Sequence, residues 1–267
     1  MKVRKAGAKI KSFLFALLML SVVTALFLLF TNKYFFKVKN IVISENEKYS
    51  YDKILAASGI VLGEELYGIN IEQAKNNIKE ILPYTETVNI KRILPSTVNI
   101  EIKTAKGILG IKLGGDYYII SDNFMIVEKI KLIGTGIIRS EFRPPPGVIT
   151  FETDTVKKCY LGEKIEFFDG DIYDFLYEII SLHKENEEVF LRITDINIMN
   201  KFKVVMNYEN KFMVNFGIFE NISSKILNSF EIIDRLPDYA KGIIDMTDDK
   251  SASFTYDENV SILYMTK

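Results

Sequence analysis

Apolar and polar positions follow three different patterns along the chain. The first is an unbroken stretch, Phe13 to Phe30, of apolar and small residues without a single charge. Eighteen residues at about 1.5 Å each give roughly 27 Å of helix, close to a hydrocarbon core near 30 Å. A soluble helix of that length carries a polar face, and this stretch has none. Lys2, Arg4, Lys5, Lys9 and Lys11 precede it with no acidic residue among them, and Tyr34, Phe35 and Phe36 follow it. Basic residues are retained on the cytoplasmic side, and aromatic residues settle at the membrane interface. The expected layout is a cytoplasmic tail over 1–12, a transmembrane helix over 13–32 and a large domain outside. A cleaved signal peptide would share the basic tail and the apolar run. Thr31-Asn32-Lys33-Tyr34 offers no small-x-small cleavage site, however, so a single-pass type II anchor is expected.

The second pattern runs from 36 to 104 and mixes strand and helix periods. Residues 36–43 alternate and end β-branched, which reads as a strand. Ser50 precedes a short helix, Tyr51 to Ala57, closed by Gly59. Asn70 and Gln73 have capping-box spacing, and Ile71, Ala74, Ile78, Ile81 and Leu82 form one apolar face of a second helix that Pro83 stops. Val88 and Ile90, then Val98, Ile100 and Ile102, alternate with polar residues on either side of Leu94-Pro95-Ser96, as in a half-buried hairpin. The predicted order is β-α-α-β-β.

The third pattern, 105–260, is strand-rich. Tyr117–Ser121 and Phe124–Val127 flank Asp122-Asn123, a hairpin turn. Leu191–Ile198, Phe202–Met206 and Phe212–Phe216 read as strands, as do Gly242–Met246 and Ala252–Tyr256. Two amphipathic helices carry Ile172, Phe175, Leu176, Ile179 and His183, and Ile222, Ile226, Phe230 and Ile233, on their apolar stripes. The expectation is an antiparallel α+β domain with both helices on one face, followed by a short tail over 261–267.

Composition narrows the chemistry. The net charge is −1, and about −6 once the five tail bases are set aside. No basic stripe suggests nucleic acid. Cys159 is the single cysteine, so no intramolecular disulfide can form. His183 is the single histidine and sits on an apolar stripe, where a core role is expected rather than metal ligation. Glu64-Glu65, Glu187-Glu188 and Asp248-Asp249 are acidic pairs in turns, where solvated charge is expected rather than the spaced carboxylates of a glycan hydrolase. No phosphate-binding glycine loop and no nucleophile elbow occurs. No catalytic set, metal site or cofactor is expected, and a binding protein is.

Several segments together resemble the FtsQ/DivIB family of bacterial cell-division proteins. They are Phe36-x-Val38-x-x-Ile41-x-Ile43, Ser58-Gly59-Ile60, Gly63-Glu64-Glu65-Leu66-Tyr67-x-Ile69, and Val88-x-Ile90-x-Arg92-x-x-Pro95-x-Thr97-Val98-x-Ile100. Tyr117 to Asp122, Pro146 to Thr150, Gly162-Glu163-Lys164, Gly217 to Leu236 and Ile244-Asp245-Met246 extend the likeness along the chain. The usual Gly after Ile149 is missing, and Phe254 and Tyr256 stand where some members have Trp. The resemblance implies a POTRA domain over 36–104, a family-specific β domain over 105–260, and a non-enzymatic divisome scaffold at the septum. It implies FtsL-like and FtsB/DivIC-like membrane partners and a role in regulating septal peptidoglycan synthesis. A membrane-anchored sensor and a peptidoglycan-modifying protein are the alternatives.

The expected docking site is the last strand, Ser251, Ala252, Ser253, Phe254, Thr255 and Tyr256. A terminal strand is a natural sheet edge, open to an incoming strand. The resemblance implies that the partner adds its strand there. Simple packing of Phe254 and Tyr256 on the preceding helix is the competing expectation.

Overall fold

The computed structural model describes residues 13–27, 36–132, 142–248, 251–258 and 260. The chain divides into two compact units, Met1–Thr104 and Ala105–Lys267. Residues 13–27 form helix α1, whose apolar side chains are exposed. Among the described residues no helix is long and apolar enough to cross a membrane. The rest of the expected span, 28–32, and the tails over 1–12 and 261–267 lie outside the described residues.

In the first unit, β1 (Asn40–Ile43), α2 (Tyr51–Ser58), α3 (Ile71–Ile81), β2 (Thr85–Ile93) and β3 (Thr97–Thr104) follow one another in the predicted order. Gly59 ends α2 in the left-handed region at φ 69°, and the Asn70 side chain caps α3 by accepting from the Gln73 N–H at 3.1 Å. The sheet order is β1-β3-β2, with β1 parallel and β2 antiparallel to the central strand. Ile90 stands opposite Ile100, and both are buried with Val98, Ile41, Ile54 and Ile78 in a core of the unit's own. Two expectations shift. The ladder of β1 begins only at Asn40, because Phe36 and Val38 bond the 63–66 loop instead (Leu66 N–H to Phe36 O, 2.7 Å; Val38 N–H to Glu64 O, 2.9 Å). Ile81 is exposed rather than on the buried stripe: it is the last residue of α3, about 100° around the helix from Leu82. Arg92 ties the loop down, donating to Leu66 O at 2.8 Å and to Ile69 O at 2.7 Å.

The second unit contains β4 (Gly107–Leu113), β5 (Asp116–Ser121), β6 (Ile126–Lys131), β7 (Ile149–Glu152), β8 (Val156–Lys158), β9 (Glu166–Phe167), α4 (Asp171–Glu185), α5 (Glu187–Phe190), β10 (Ile193–Asn197), β11 (Val204–Tyr208), β12 (Phe212–Gly217), α6 (Ile222–Arg235), β13 (Gly242–Asp245) and β14 (Ser253–Tyr256). Apart from the small β8–β9 pair, all strands join one sheet in the order β14-β13-β12-β11-β10-β7-β4-β5-β6. The sheet is mixed, which corrects the antiparallel expectation: β4–β7, β7–β10 and β12–β13 are parallel. Parallel neighbours need a crossover of a dozen or more residues, and α4 and α6 supply two of them. The two helices lie side by side, with Ser223 Oγ donating to Glu178 Oε2 at 2.6 Å and Phe175 stacked on Phe219 at 4.8 Å. Both helices share one apolar core with the sheet.

Some boundaries also move. Phe124 lies in the β5–β6 turn at φ 65°, not in the strand. Leu191 and Phe202 are exposed and precede β10 and β11. In the β5 segment, Tyr117 reaches across β4 so that its hydroxyl meets Thr150 Oγ1 on β7 at 2.8 Å. Only glycine at 110 leaves room for the ring, since a β-carbon there would overlap the phenol. Burial pushes the Tyr117 hydroxyl up to about 12, so it stays a neutral donor or acceptor.

Candidate partner-docking edge

β14 is the outermost strand of the large sheet. It pairs antiparallel with β13, placing Tyr256 opposite Gly242, Thr255 opposite Ile243, Phe254 opposite Ile244 and Ser253 opposite Asp245. The Asp257 N–H donates to Lys241 O at 3.1 Å. Hydrogen-bonded and non-bonded pairs alternate in an antiparallel ladder. Thr255 and Ser253 therefore turn their main-chain groups toward β13, while Phe254 and Tyr256 turn theirs outward. No other strand among the described residues pairs with that outer side.

The side chains follow the pleat. Phe254 and Tyr256 share the face of Ile244, which is fully buried, yet they are 37% and 54% exposed. The cover of the core face runs out at this edge. Phe254 is half seated: its ring lies 6.4 Å from that of Phe212 and passes over Gly242, where a β-carbon would overlap the Thr255 carbonyl oxygen and come within 2.8 Å of Phe254 Cε2. Glycine at 242 thus makes room first for the β14 backbone and then for the aromatic ring. The Tyr256 hydroxyl donates to Glu258 Oε1 at 3.2 Å, and this bond raises its pKa. Tyr239, the most exposed aromatic among the described residues of the unit, stands close enough to act electrostatically on Tyr256.

The strand is shorter than expected. Ser251 and Ala252 lie outside the ladder because Ser251 belongs to the preceding turn, its N–H on Asp248 O at 3.4 Å and its hydroxyl on Asp248 Oδ2 at 3.0 Å. At the start of that turn the Asp245 carboxylate accepts from the Thr247 hydroxyl at 2.7 Å and the Thr247 N–H at 2.9 Å, which lowers its pKa. Sequence reasoning overlooked Gly242 and Tyr239. A glycine beside a strand bearing two aromatics was the available signal for the first.

The other end of the sheet is closed off. At β6 the Ile126 N–H donates to Glu163 O, and the Gly162 N–H donates to Ile126 O, both at 2.8 Å; the remainder of the strand carries Glu128, Lys129 and Lys131. A strap and charged side chains both discourage strand addition. Ser253-Phe254-Thr255-Tyr256 has neither.

The remaining chemical candidates are built into the structure differently. His183 is buried against Phe190, its rings 5.8 Å apart, and its Nε2 meets no hydrogen-bond partner. Burial lowers its pKa, against the opposing pull of Glu187. Burial pushes the Cys159 thiol up to about 11, far from a reactive thiolate. Glu64 accepts from the Val61 N–H at 2.8 Å, and Glu187 pairs with Lys106 at 2.5 Å. Among the described residues no group of three or more His, Cys, Asp or Glu converges as a metal site would need.

A family profile described as POTRA domain, FtsQ-type, matches residues 36–103. The chain is 26% identical over 217 residues to the cell division protein DivIB of Clostridium acetobutylicum, covering 80% of each. It is 23% identical over 248 residues to the cell division protein DivIB of Clostridium botulinum, covering 92% of this chain and 91% of that one. A third relative, the cell division protein DivIB of Clostridium tetani, is 25% identical over 206 residues, with 74% and 70% covered. The chain is thus similar to DivIB cell-division proteins along most of its length and to the FtsQ-type POTRA domain over 36–103. The span matched by the POTRA profile holds β1, α2, α3, β2 and β3, and β14 lies at the edge of the large sheet in the second unit.

Proposed function

We propose that this chain is an FtsQ/DivIB-type, non-enzymatic scaffold of the bacterial division machinery. It is held by one N-terminal transmembrane helix over 13–32, with the POTRA domain over 36–104 and the β domain over 105–260 on the outer side of the membrane at the septum. FtsL-like and FtsB/DivIC-like membrane proteins are its partners, and through them it helps regulate septal peptidoglycan synthesis. The POTRA match and the three DivIB relatives support the division role. The uncharged span from Phe13 and the bases ahead of it support the anchor.

One observation carries the docking site. β14 offers two residues' worth of outward main-chain groups beside half-exposed Phe254 and Tyr256, while the opposite edge of the same sheet is strapped and charged. An incoming strand gains main-chain hydrogen bonds there, and its alternate side chains pack on the two rings. The test is a pull-down of the FtsB/DivIC-like partner by the full chain carrying Phe254→Ala and Tyr256→Ala, with circular dichroism recorded in parallel. Binding should fall while the spectrum holds. A folded double variant that binds as well as the parent would remove β14 as the site.

A further inference from the structure

The POTRA domain leaves one end unfinished. β1 and β3 run parallel, so the chain enters the domain at the end where the β2–β3 turn lies, and it leaves from the opposite end. α2 brings the chain back to the first end, and the loop between Gly59 and Asn70 lies there too. Main-chain bonds hold the three pieces together: Leu66 N–H to Phe36 O, Gly63 N–H to Val38 O, and Lys39 N–H to Ser96 O, all within 2.7–2.8 Å.

This end carries Val61, Leu62, Tyr67, Ile93 and Leu94, each about half exposed or more. They are five of the eight exposed large apolar residues between 36 and 104, so the concentration is local. The core does not lack for side chains, because Ile60, Leu66 and Ile69 of the same loop already fill it. Nor does the loop hang loose. Glu64 holds the Val61 N–H, and Arg92 holds the carbonyls of Leu66 and Ile69. An apolar surface is thus presented on a braced scaffold, with the exposed Lys37, Lys39 and Lys91 on or beside it and the exposed Glu65, paired with Lys37 in an isolated β-bridge, within its loop.

What covers it follows from chain length. Five residues, Thr31 to Phe35, lie between Phe30, the last residue of the apolar run, and Phe36 at the start of this end, making six Cα-to-Cα steps. Fully extended they span at most about 22 Å, so this end cannot leave the neighbourhood of the bilayer if the run is anchored there. Aliphatic and tyrosyl side chains flanked by lysines suit the boundary between headgroups and acyl chains. We infer that this end of the POTRA domain rests on the lipid surface, with Val61, Leu62, Tyr67 and Leu94 inserted into the interface. The domain would then be held at a fixed attitude above the membrane rather than swinging on its tether. The inference rests on the proposed anchor.

The test uses the full chain reconstituted in phosphatidylcholine vesicles. Cys159→Ala removes the native thiol, and single cysteines are placed by Leu62→Cys, Tyr67→Cys, Leu94→Cys and, as control at the opposite end of the domain, Ile81→Cys. Each carries an environment-sensitive fluorophore. The first three should show blue-shifted emission, quenching by nitroxide-labelled lipid and loss of quenching by aqueous iodide, while the label at 81 behaves as in water. Retention of the chain on vesicles through a carbonate wash reports the anchor separately. If the chain washes off, the anchor itself fails and the inference falls with it. If it is retained but labels at 62, 67 and 94 meet iodide as freely as the label at 81, the anchor stands and the lipid contact is refuted. Labels shielded from iodide yet untouched by lipid nitroxide would mean that protein covers this surface, which also overturns the assignment.

Discussion

Proline substitutions in β14 separate a main-chain docking mode from a side-chain one. The ladder assigns Phe254 N–H and C=O to the outer side and Thr255 N–H and C=O to β13. Proline removes one N–H and is tolerated on an edge strand only where that N–H faces outward. Phe254→Ala removes the ring, which is about two-thirds buried, and should cost the fold roughly 1–2 kcal/mol at the usual value for burying such a side chain. Phe254→Pro removes the ring and the outward N–H together. The β13–β14 ladder survives both, so their folded-state stabilities should be similar. Binding should separate them, because an incoming carbonyl left without its donor costs about 1–3 kcal/mol. That is about 5- to 150-fold in affinity at about 1.4 kcal/mol per factor of ten. Thr255→Pro is the counterpart, since its N–H serves the β13 ladder and its loss should detach β14. The assay is fluorescence polarisation of a labelled FtsB/DivIC-like partner titrated with each full-length variant, with amide hydrogen exchange of β13 followed in parallel. Equal affinities for Phe254→Ala and Phe254→Pro, or a Thr255→Pro variant with β13 still protected, would refute the ladder assignment or the strand-addition mode.

Two further predictions concern the folds behind the site. Ile100 is fully buried at the centre of the three-stranded sheet, opposite Ile90 and beside Ile43, so Ile100→Asp should cost on the order of 3–5 kcal/mol. Hydrogen exchange should speed up across β2 and β3 while the second unit stays protected, and unchanged protection of β2 and β3 would contradict the register. His183 has a depressed folded pKa, caused first by its burial. The unfolded chain therefore takes up a proton near pH 6.5 before the folded one does. Stability of the second unit is fully present above about pH 6.5 and declines as the pH falls from there toward the lower folded value. Urea denaturation at stepped pH should show that decline and His183→Leu should flatten it; an identical slope in both would clear His183 of the effect.

The POTRA fold was readable because its signals are local. Strict alternation around Leu94-Pro95-Ser96, a cap at Asn70 and a glycine at 59 each specify a neighbouring element, and the structure places them as the periods imply. The second unit resisted for the opposite reason. β4 (Gly-Ile-Leu-Gly-Ile-Lys-Leu) carries two glycines and a continuous buried stretch, so neither alternation nor propensity marks it, and its glycine at 110 is explained only by the Tyr117 ring crossing from β5. β7 is four residues long and follows a proline-rich segment. Its parallel pairing with both β4 and β10 depends on contacts about forty residues away in each direction, beyond any local pattern.

The docking edge lies between these cases. The sheet order places β14 outermost. Which of its main-chain groups face outward is a matter of parity, and parity is set by the turn before it. Asp245 grips Thr247, and Asp248 keeps Ser251 within the turn, so the ladder starts at Ser253 and pairs Phe254 with Ile244. A turn one residue longer or shorter would exchange the roles, presenting Ser253 and Thr255 to a partner and pointing both rings to the other face, because the side-chain period is two. Alternation within Ser251–Tyr256 groups the aromatics together but cannot say which face they take. The missing information is carried by the polar turn residues Asp245, Thr247, Asp248 and Ser251. The face that Phe254 and Tyr256 take on this edge therefore depends on Asp245 and Asp248 as much as on the strand's own alternation.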